Sequence, residues 1–138
     1  MTIQDEVLAI ERGFWTGGAD FYRWTGGADF YRQNLDDVCV TVFTEMAGAF
    51  KRDEIAGMIT DTDRWRDLNL DIKGFLEPAP GFAILTYAVK ATRKSNDSYA
   101  AAVTSCYVMR NGAWKMVLHQ QTPLPVKLVE AERPSRKG

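Results

Sequence analysis

The chain is poor in the residues that build metal and nucleic-acid sites. It has one histidine and two cysteines in 138 residues, and 17 Lys and Arg against 18 Asp and Glu leave a net charge of −1. Without a basic excess there is no field to hold a phosphate backbone, so a nucleic-acid partner is excluded. No cluster has metal-ligand spacing, no glycine-rich phosphate loop is present, and no Ser/His/Asp set has recognisable spacing, so neither a metal nor an organic cofactor is expected. No apolar run is long enough to span a bilayer, so no membrane partner is expected. The opening MTIQDEVLAIERGF is mixed in charge and lacks a secretory apolar region, which points to the cytoplasm. Cys39 and Cys106 sit in apolar, strand-like surroundings and read as buried reduced thiols.

Apolar residues, at 46%, are plentiful enough for a sizeable core. The length fits one domain over residues 1–129, with a charged tail, 130–138, expected to be disordered. Residues 15–23 and 24–32 both read WTGGADFYR, a perfect tandem repeat. Nine extra residues would turn a continuous helix by about 900°, half a turn out of phase. The insert is therefore expected in a connection, around 16–28, with Phe30 and Tyr31 of the second copy in the core. The competing reading runs the first helix through copy one, with Phe14, Phe21 and Trp24 continuing its stripe and Gly17-Gly18 inside it.

Residues 3–15 have helical periodicity, with Ile3, Val7, Ile10 and Phe14 on one side and Gln4, Asp5, Glu11 and Arg12 on the other. Gly17-Gly18 should stop this helix. Asp29 suits the N-cap of a short helix from Phe30 to Leu35. VCVTVF at 38–43 reads as a strand, and KRDEIAGMI at 51–59 as a third helix with Ile55, Met58 and Ile59 on its apolar face. A strand follows at 68–73, then long strands at 82–92, 98–110 and 114–121. Pro78-Ala79-Pro80-Gly81, Lys94-Ser95-Asn96-Asp97 and Asn111-Gly112 form the turns between them. Helices first and antiparallel strands after make an α+β fold, with helices on one face of a curved sheet. The last three strands are apolar on both faces, so a second copy is expected on the outer one and a homodimer follows.

Three segments carry a resemblance to a known family: ADFYRQNLDD (28–37), ILTYAV (84–89) and NGAWKMVLHQQTP (111–123). Together with the order of elements, they resemble the nuclear transport factor 2-like superfamily, in particular its ketosteroid isomerase-like and SnoaL-like members. The resemblance implies a cone-shaped antiparallel sheet wrapped around N-terminal helices, a cystatin-like roll open to a pocket. It also implies dimers through the outer sheet face, and a site without metal or organic cofactor. No segment aligns residue by residue with the isomerases' carboxylate base and tyrosine-plus-acid pair, so the resemblance does not carry catalysis over.

His119 is the natural acid or base near neutral pH. Strict alternation puts Val117, His119 and Gln121 on one face of the last strand and Trp114, Met116, Leu118 and Gln120 on the other. The histidine face is expected to look into the cone. Tyr31, Trp65, Tyr87, Tyr99 and Tyr107 have apolar bodies and polar tips suited to a pocket, with Ser105 on the face of Tyr107 and Gln121 on that of His119. Asp36-Asp37, ending the second helix, reads as a solvated turn or, beside the cone mouth, as a base. The expected function is binding of a small, largely hydrophobic molecule. The alternatives are a cofactor-free isomerase, dehydratase or cyclase using His119, and a non-catalytic dimerisation module.

Overall fold

The computed structural model describes residues 1–16, 27–59, 65–93 and 97–125. Helix α1 spans Ile3–Thr16. Thr2 and Asp5 close its first turn reciprocally: the Asp5 N–H donates to Thr2 Oγ1 at 3.1 Å, and the Thr2 N–H to Asp5 Oδ2 at 3.3 Å. The expected stop at Gly17-Gly18 lies outside the described residues. The buried stripe of α1 runs through Val7, Glu11, Phe14 and Trp15. This corrects the expectation that Glu11 faces water. Residues four apart share a helix face, so Glu11 lies between Val7 and Trp15, while Ile3 and Ile10 are only partly buried.

Helix α2, Gly27–Asn34, packs on α1. The rings of Phe30 and Tyr31 meet Phe14 edge-on at 5.3 and 4.8 Å. The approach is close because residue 13 is glycine: a Cβ there would fall 2.1 Å from the Phe30 ring. The helix starts three residues before the expected Phe30, so Asp29 lies in its first turn and pairs with Arg32 at 3.6 Å instead of capping. Leu35, expected to end the helix, already begins a strand. Copy one of the repeat supplies Trp15 and Thr16 to the end of α1. Copy two supplies Gly27 to Arg32 of α2. The stretch between, where the extra length was expected, lies outside the described residues.

Six strands follow: β1 (Leu35–Val42), β2 (Ala47–Lys51), β3 (Trp65–Ala79), β4 (Phe82–Arg93), β5 (Ser98–Arg110) and β6 (Ala113–Pro123). They form one curved sheet in the order β2-β1-β6-β5-β4-β3, antiparallel except for the parallel pair β1–β6. Strand β2 was not expected. It takes Lys51 from the anticipated third helix and leaves α3 as Arg52–Gly57, with Ile55 buried and Met58 half-exposed. Strand β3 is longer than 68–73. The β5–β6 hairpin turns at Asn111 (φ 51°) and Gly112 (φ 83°), the left-handed pair a two-residue turn needs. The turn at Lys94–Asn96 and the tail from 126 lie outside the described residues.

Along β4 and β5 the alternation is regular. Ala83, Leu85, Tyr87 and Val89, then Val103, Ser105 and Tyr107, face α1 and are buried. On β6 it is not. Cys106 pairs with Leu118 but Tyr107 with Met116, which leaves Val117 as an extra residue. The bulge brings Trp114 and Met116 onto the same buried face as His119, correcting the strict alternation that separated them.

Candidate functional site

The site is assembled around Glu11, the buried carboxylate of α1, which is 0% exposed. Tyr107 donates to Oε1 at 2.6 Å, and Tyr87 and Ser105 donate to Oε2 at 2.5 and 2.8 Å. The Trp15 indole N–H donates to the Tyr87 hydroxyl at 2.8 Å. Burial opposes the charge. The hydrogen bond of His119, its charge when the ring is protonated, and the hydrogen bonds of Tyr107 and Tyr87 outweigh it, holding the Glu11 carboxyl below its ordinary 4.5. Burial, reinforced by the Glu11 charge, pushes the hydroxyls of Tyr31, Tyr87 and Tyr107 up, so all three stay protonated donors.

His119 Nδ1 lies 2.8 Å from Ser105 Oγ and 3.5 Å from Glu11 Oε2. The serine proton is committed to Glu11, so Ser105 Oγ accepts and Nδ1 carries the hydrogen. Nε2 of the neutral ring is then an acceptor, engaged by the Gln121 amide. It sits 2.9 Å from Gln121 Nε2, and the amide is oriented by Tyr99, whose hydroxyl donates to Gln121 Oε1 at 2.7 Å. The array Glu11–Ser105–His119 thus fixes one tautomer and leaves Nε2 as the atom that gains or loses a proton.

A cavity of about 210 Å³ opens beside His119 and Gln121, between α1, α2, α3, β1 and β6. Its wall is almost entirely apolar, with Phe14, Leu35, Ile55 and Met116 among its residues, and is interrupted by Tyr31, Thr41, His119 and Gln121. Thr41 is buried, and its Oγ1 has no hydrogen-bond partner among the described residues. A second, adjoining hollow is shared by Phe14, Tyr31, Phe43, His119 and Gln121 and is completed by Trp15, Trp65 and Tyr99. The Trp15, Trp65 and Tyr99 rings meet in edge-on and tilted contacts, with centroids 5.5 to 6.3 Å apart.

Of the residues singled out in the sequence, Tyr31, His119 and Gln121 line the main cavity, and Trp65 and Tyr99 line only the adjoining hollow. Tyr87, Ser105 and Tyr107 stand behind the wall, on Glu11. Asp36 and Asp37 lie on β1, not at a helix end. Asp36 holds Arg110 through both carboxylate oxygens, the nearest contact at 3.0 Å, and Asp37 lies 3.3 Å from Arg52, so both are engaged in ion pairs away from the cavity. Sequence reasoning missed Glu11 and Thr41. The signal for Glu11 was its place one turn from both Val7 and Trp15. For Thr41 it was the alternation with Cys39 on β1. Cys39 and Cys106 are free thiols, and burial with the Glu11 charge lifts Cys39 to about 12. Among the described residues no group of three His, Cys, Asp or Glu is placed to hold a metal ion, and no helix is long and apolar enough to cross a membrane.

No sequence-family model matches the chain, and no curated protein matches it. Solved structures do. An NTF2-like protein of unknown function from Prochlorococcus marinus superposes with a TM-score of 0.70 at 13% identity, covering 94% of this chain and 99% of that one. An NTF2-like protein of unknown function in nutrient uptake from Rhodospirillum rubrum gives 0.66 at 11% identity, covering 91% and 100%. A putative Ca/calmodulin-dependent kinase II association domain from Exiguobacterium sibiricum gives 0.63 at 19% identity, covering 89% and 92%. The likeness spans nearly the whole length of each partner, and with the helices packed inside a curved six-stranded sheet it identifies the fold of this chain as nuclear transport factor 2-like.

Proposed function

We propose that the chain binds a small, largely apolar molecule in the cavity walled by His119, and that His119 is the group able to exchange a proton with it. The observation that carries this reading is the buried array Glu11–Ser105–His119, which ends at an apolar cavity lined by His119. Tyr31 and Gln121 would touch the bound molecule. Tyr87, Ser105 and Tyr107 act through Glu11 as positioning residues, and Trp65 belongs to the adjoining hollow. A cofactor-free isomerase, dehydratase or cyclase needs such a base in a dry site.

The test is a ligand-observed NMR screen of small apolar fragments on the full chain and on Met58→Trp, which crowds the cavity from α3. Fragments that bind the first and not the second support the reading. A screen without binders, or with binders indifferent to Met58→Trp, overturns it. Turnover of a bound fragment that is lost in His119→Ala but kept in binding would assign catalysis.

A second reading is self-association. Val38, Val40, Leu76 and Met109 are large apolar side chains left exposed. One structural neighbour is named an association domain, which favours the same reading. A homodimer that covers the outer sheet face is compatible with a ligand inside the sheet. Sedimentation velocity at micromolar concentration should show a dimer, and a monomer alone would remove this reading.

A further inference from the structure

We infer that Gln121 is the positioning residue for proton exchange at His119: it caps Nε2 and, by turning its amide end for end, holds the ring in either protonation state without moving it. The inference rests on the reading of His119 as the proton-exchanging group and adds how that group is served. Its test needs no bound molecule, so its failure and that of the cavity reading are told apart.

Both ring nitrogens are engaged. Nδ1 lies 2.8 Å from Ser105 Oγ, whose one hydrogen goes to Glu11 Oε2, so Nδ1 keeps its own hydrogen whatever the charge on the ring. Titration is therefore confined to Nε2, 2.9 Å from the Gln121 side-chain nitrogen. The partner wanted there changes with the charge. The neutral ring accepts at Nε2 and needs a donor, whereas the imidazolium donates and needs an acceptor. A lysine would serve only the first state and a carboxylate only the second. A primary amide carries one of each at the two ends of a planar group, and χ3, the torsion that exchanges them, is roughly two-fold.

The far end of the amide permits the exchange. Gln121 Oε1 takes a hydrogen from the Tyr99 hydroxyl at 2.7 Å. A phenol both donates and accepts, so after the turn Tyr99 accepts from the amide nitrogen and no contact is lost at either end. Tyr99 is itself held, its ring against Trp15 and Trp65 with centroids 6.3 and 5.5 Å away. His119 and Gln121 are two residues apart on β6 and so project from one side of the strand.

The charge is met in place as well. Of the titratable groups around the ring among the described residues, Tyr31 of α2, Cys39 of β1, Tyr87 of β4 and Tyr107 of β5 are pushed up by burial and stay neutral. Glu11 of α1, held below its ordinary range, is ionised and lies 3.5 Å from Nδ1, so a proton taken at Nε2 completes an ion pair. A molecule that gives its proton to Nε2 first displaces the amide from that atom. The amide then returns with its oxygen to the new N–H, and with its nitrogen once the proton has gone back.

The chain has one histidine, so its ring gives a single pair of nitrogen signals. The full chain, labelled with nitrogen-15, is titrated from about pH 5 to about 9, a range that brackets an ordinary imidazole. NMR then records the coupling across the N–H···N bond between the Gln121 side-chain nitrogen and His119 Nε2. The coupling should be present while the ring is neutral and vanish when Nε2 gains its proton. Nδ1 should stay protonated, and the nuclear Overhauser contacts between Gln121 and the ring should persist throughout. Gln121→Glu, which can only accept, should lack the coupling at every pH and hold the Nε2 proton about tenfold more tightly. No coupling at any pH, titration at Nδ1, or loss of the Gln121 contacts on protonation would each overturn the inference. So would a Gln121→Glu ring that titrates as wild type does.

Discussion

The two walls that meet at His119 are built differently. On the β4–β5 wall every buried polar group has a partner: Glu11 accepts from Tyr87, Tyr107 and Ser105, and Tyr87 in turn accepts from Trp15. On the β1–β6 wall Thr41 is unpaired, and His119 Nε2 meets only the side chain of Gln121. A saturated network in a low-dielectric interior specifies one arrangement. An unsaturated wall beside a cavity is where binding can be gained at the expense of stability. The first wall serves the fold, and the second is the one that the proposed ligand would meet.

Substitutions should separate the two, and the largest loss belongs to the saturated wall. Glu11→Ala strands three hydroxyls and the histidine, and should cost about 3–5 kcal/mol, read as a lower denaturation midpoint in urea. Glu11→Gln should cost less and have a pH signature. The folded carboxyl lies below its ordinary 4.5, so its contribution is complete above that value and is lost as pH falls through the folded value. The gap between wild type and Glu11→Gln should therefore hold from pH 7 to about 5 and narrow below about 4.5. A gap that stays constant down to pH 3 would show that Glu11 is not held ionised. Gly13→Ala, which drives a methyl into the Phe30 ring and so loosens the helix that carries Glu11, should cost about 1–3 kcal/mol. Trp15→Phe removes only the indole hydrogen bond to Tyr87 and should cost about 1 kcal/mol in the same assay. Thr41→Val should cost nothing or stabilise slightly, because it removes an unpaired buried hydroxyl. A loss above about 2 kcal/mol there would erase the contrast between the walls.

The order of elements, the hairpin at Asn111-Gly112 and the inward tyrosines of β4 and β5 were legible because each rests on local pattern: period two, helical spacing, or a turn pair with one conformation. The fold followed from these. What was not legible rests on long-range pairing. Glu11 reads as a solvent residue until three hydroxyl donors arrive from strands far along the chain. The Val117 bulge leaves no mark in composition, yet it decides that Met116 and His119 share a face. Strand β2 is short and carries Gly48 within it, and it forms because β1 offers it an edge, with Val42 opposite Ala47. The repeat shows the same limit from another side. Trp15 of copy one reaches the core through Tyr87 and Phe30 of copy two through Phe14, contacts that the repeated sequence alone does not assign.

The parallel β1–β6 pair also sets the order of events in folding. Leu35 pairs with Met116, and Tyr107 reaches Glu11 across 96 residues of sequence, so the site cannot be complete before nearly all of the described chain is available. During synthesis the hairpins of β3 to β5 can form on local contacts, while Glu11 waits as an uncompensated charge on an early helix. Closure around it should be the late, slow step of folding, as loop-closure entropy dictates for pairings this distant. A chain stalled before β6 would present an apolar hollow to its neighbours in the cell, and the interval before His119 arrives is when this protein is most exposed to aggregation.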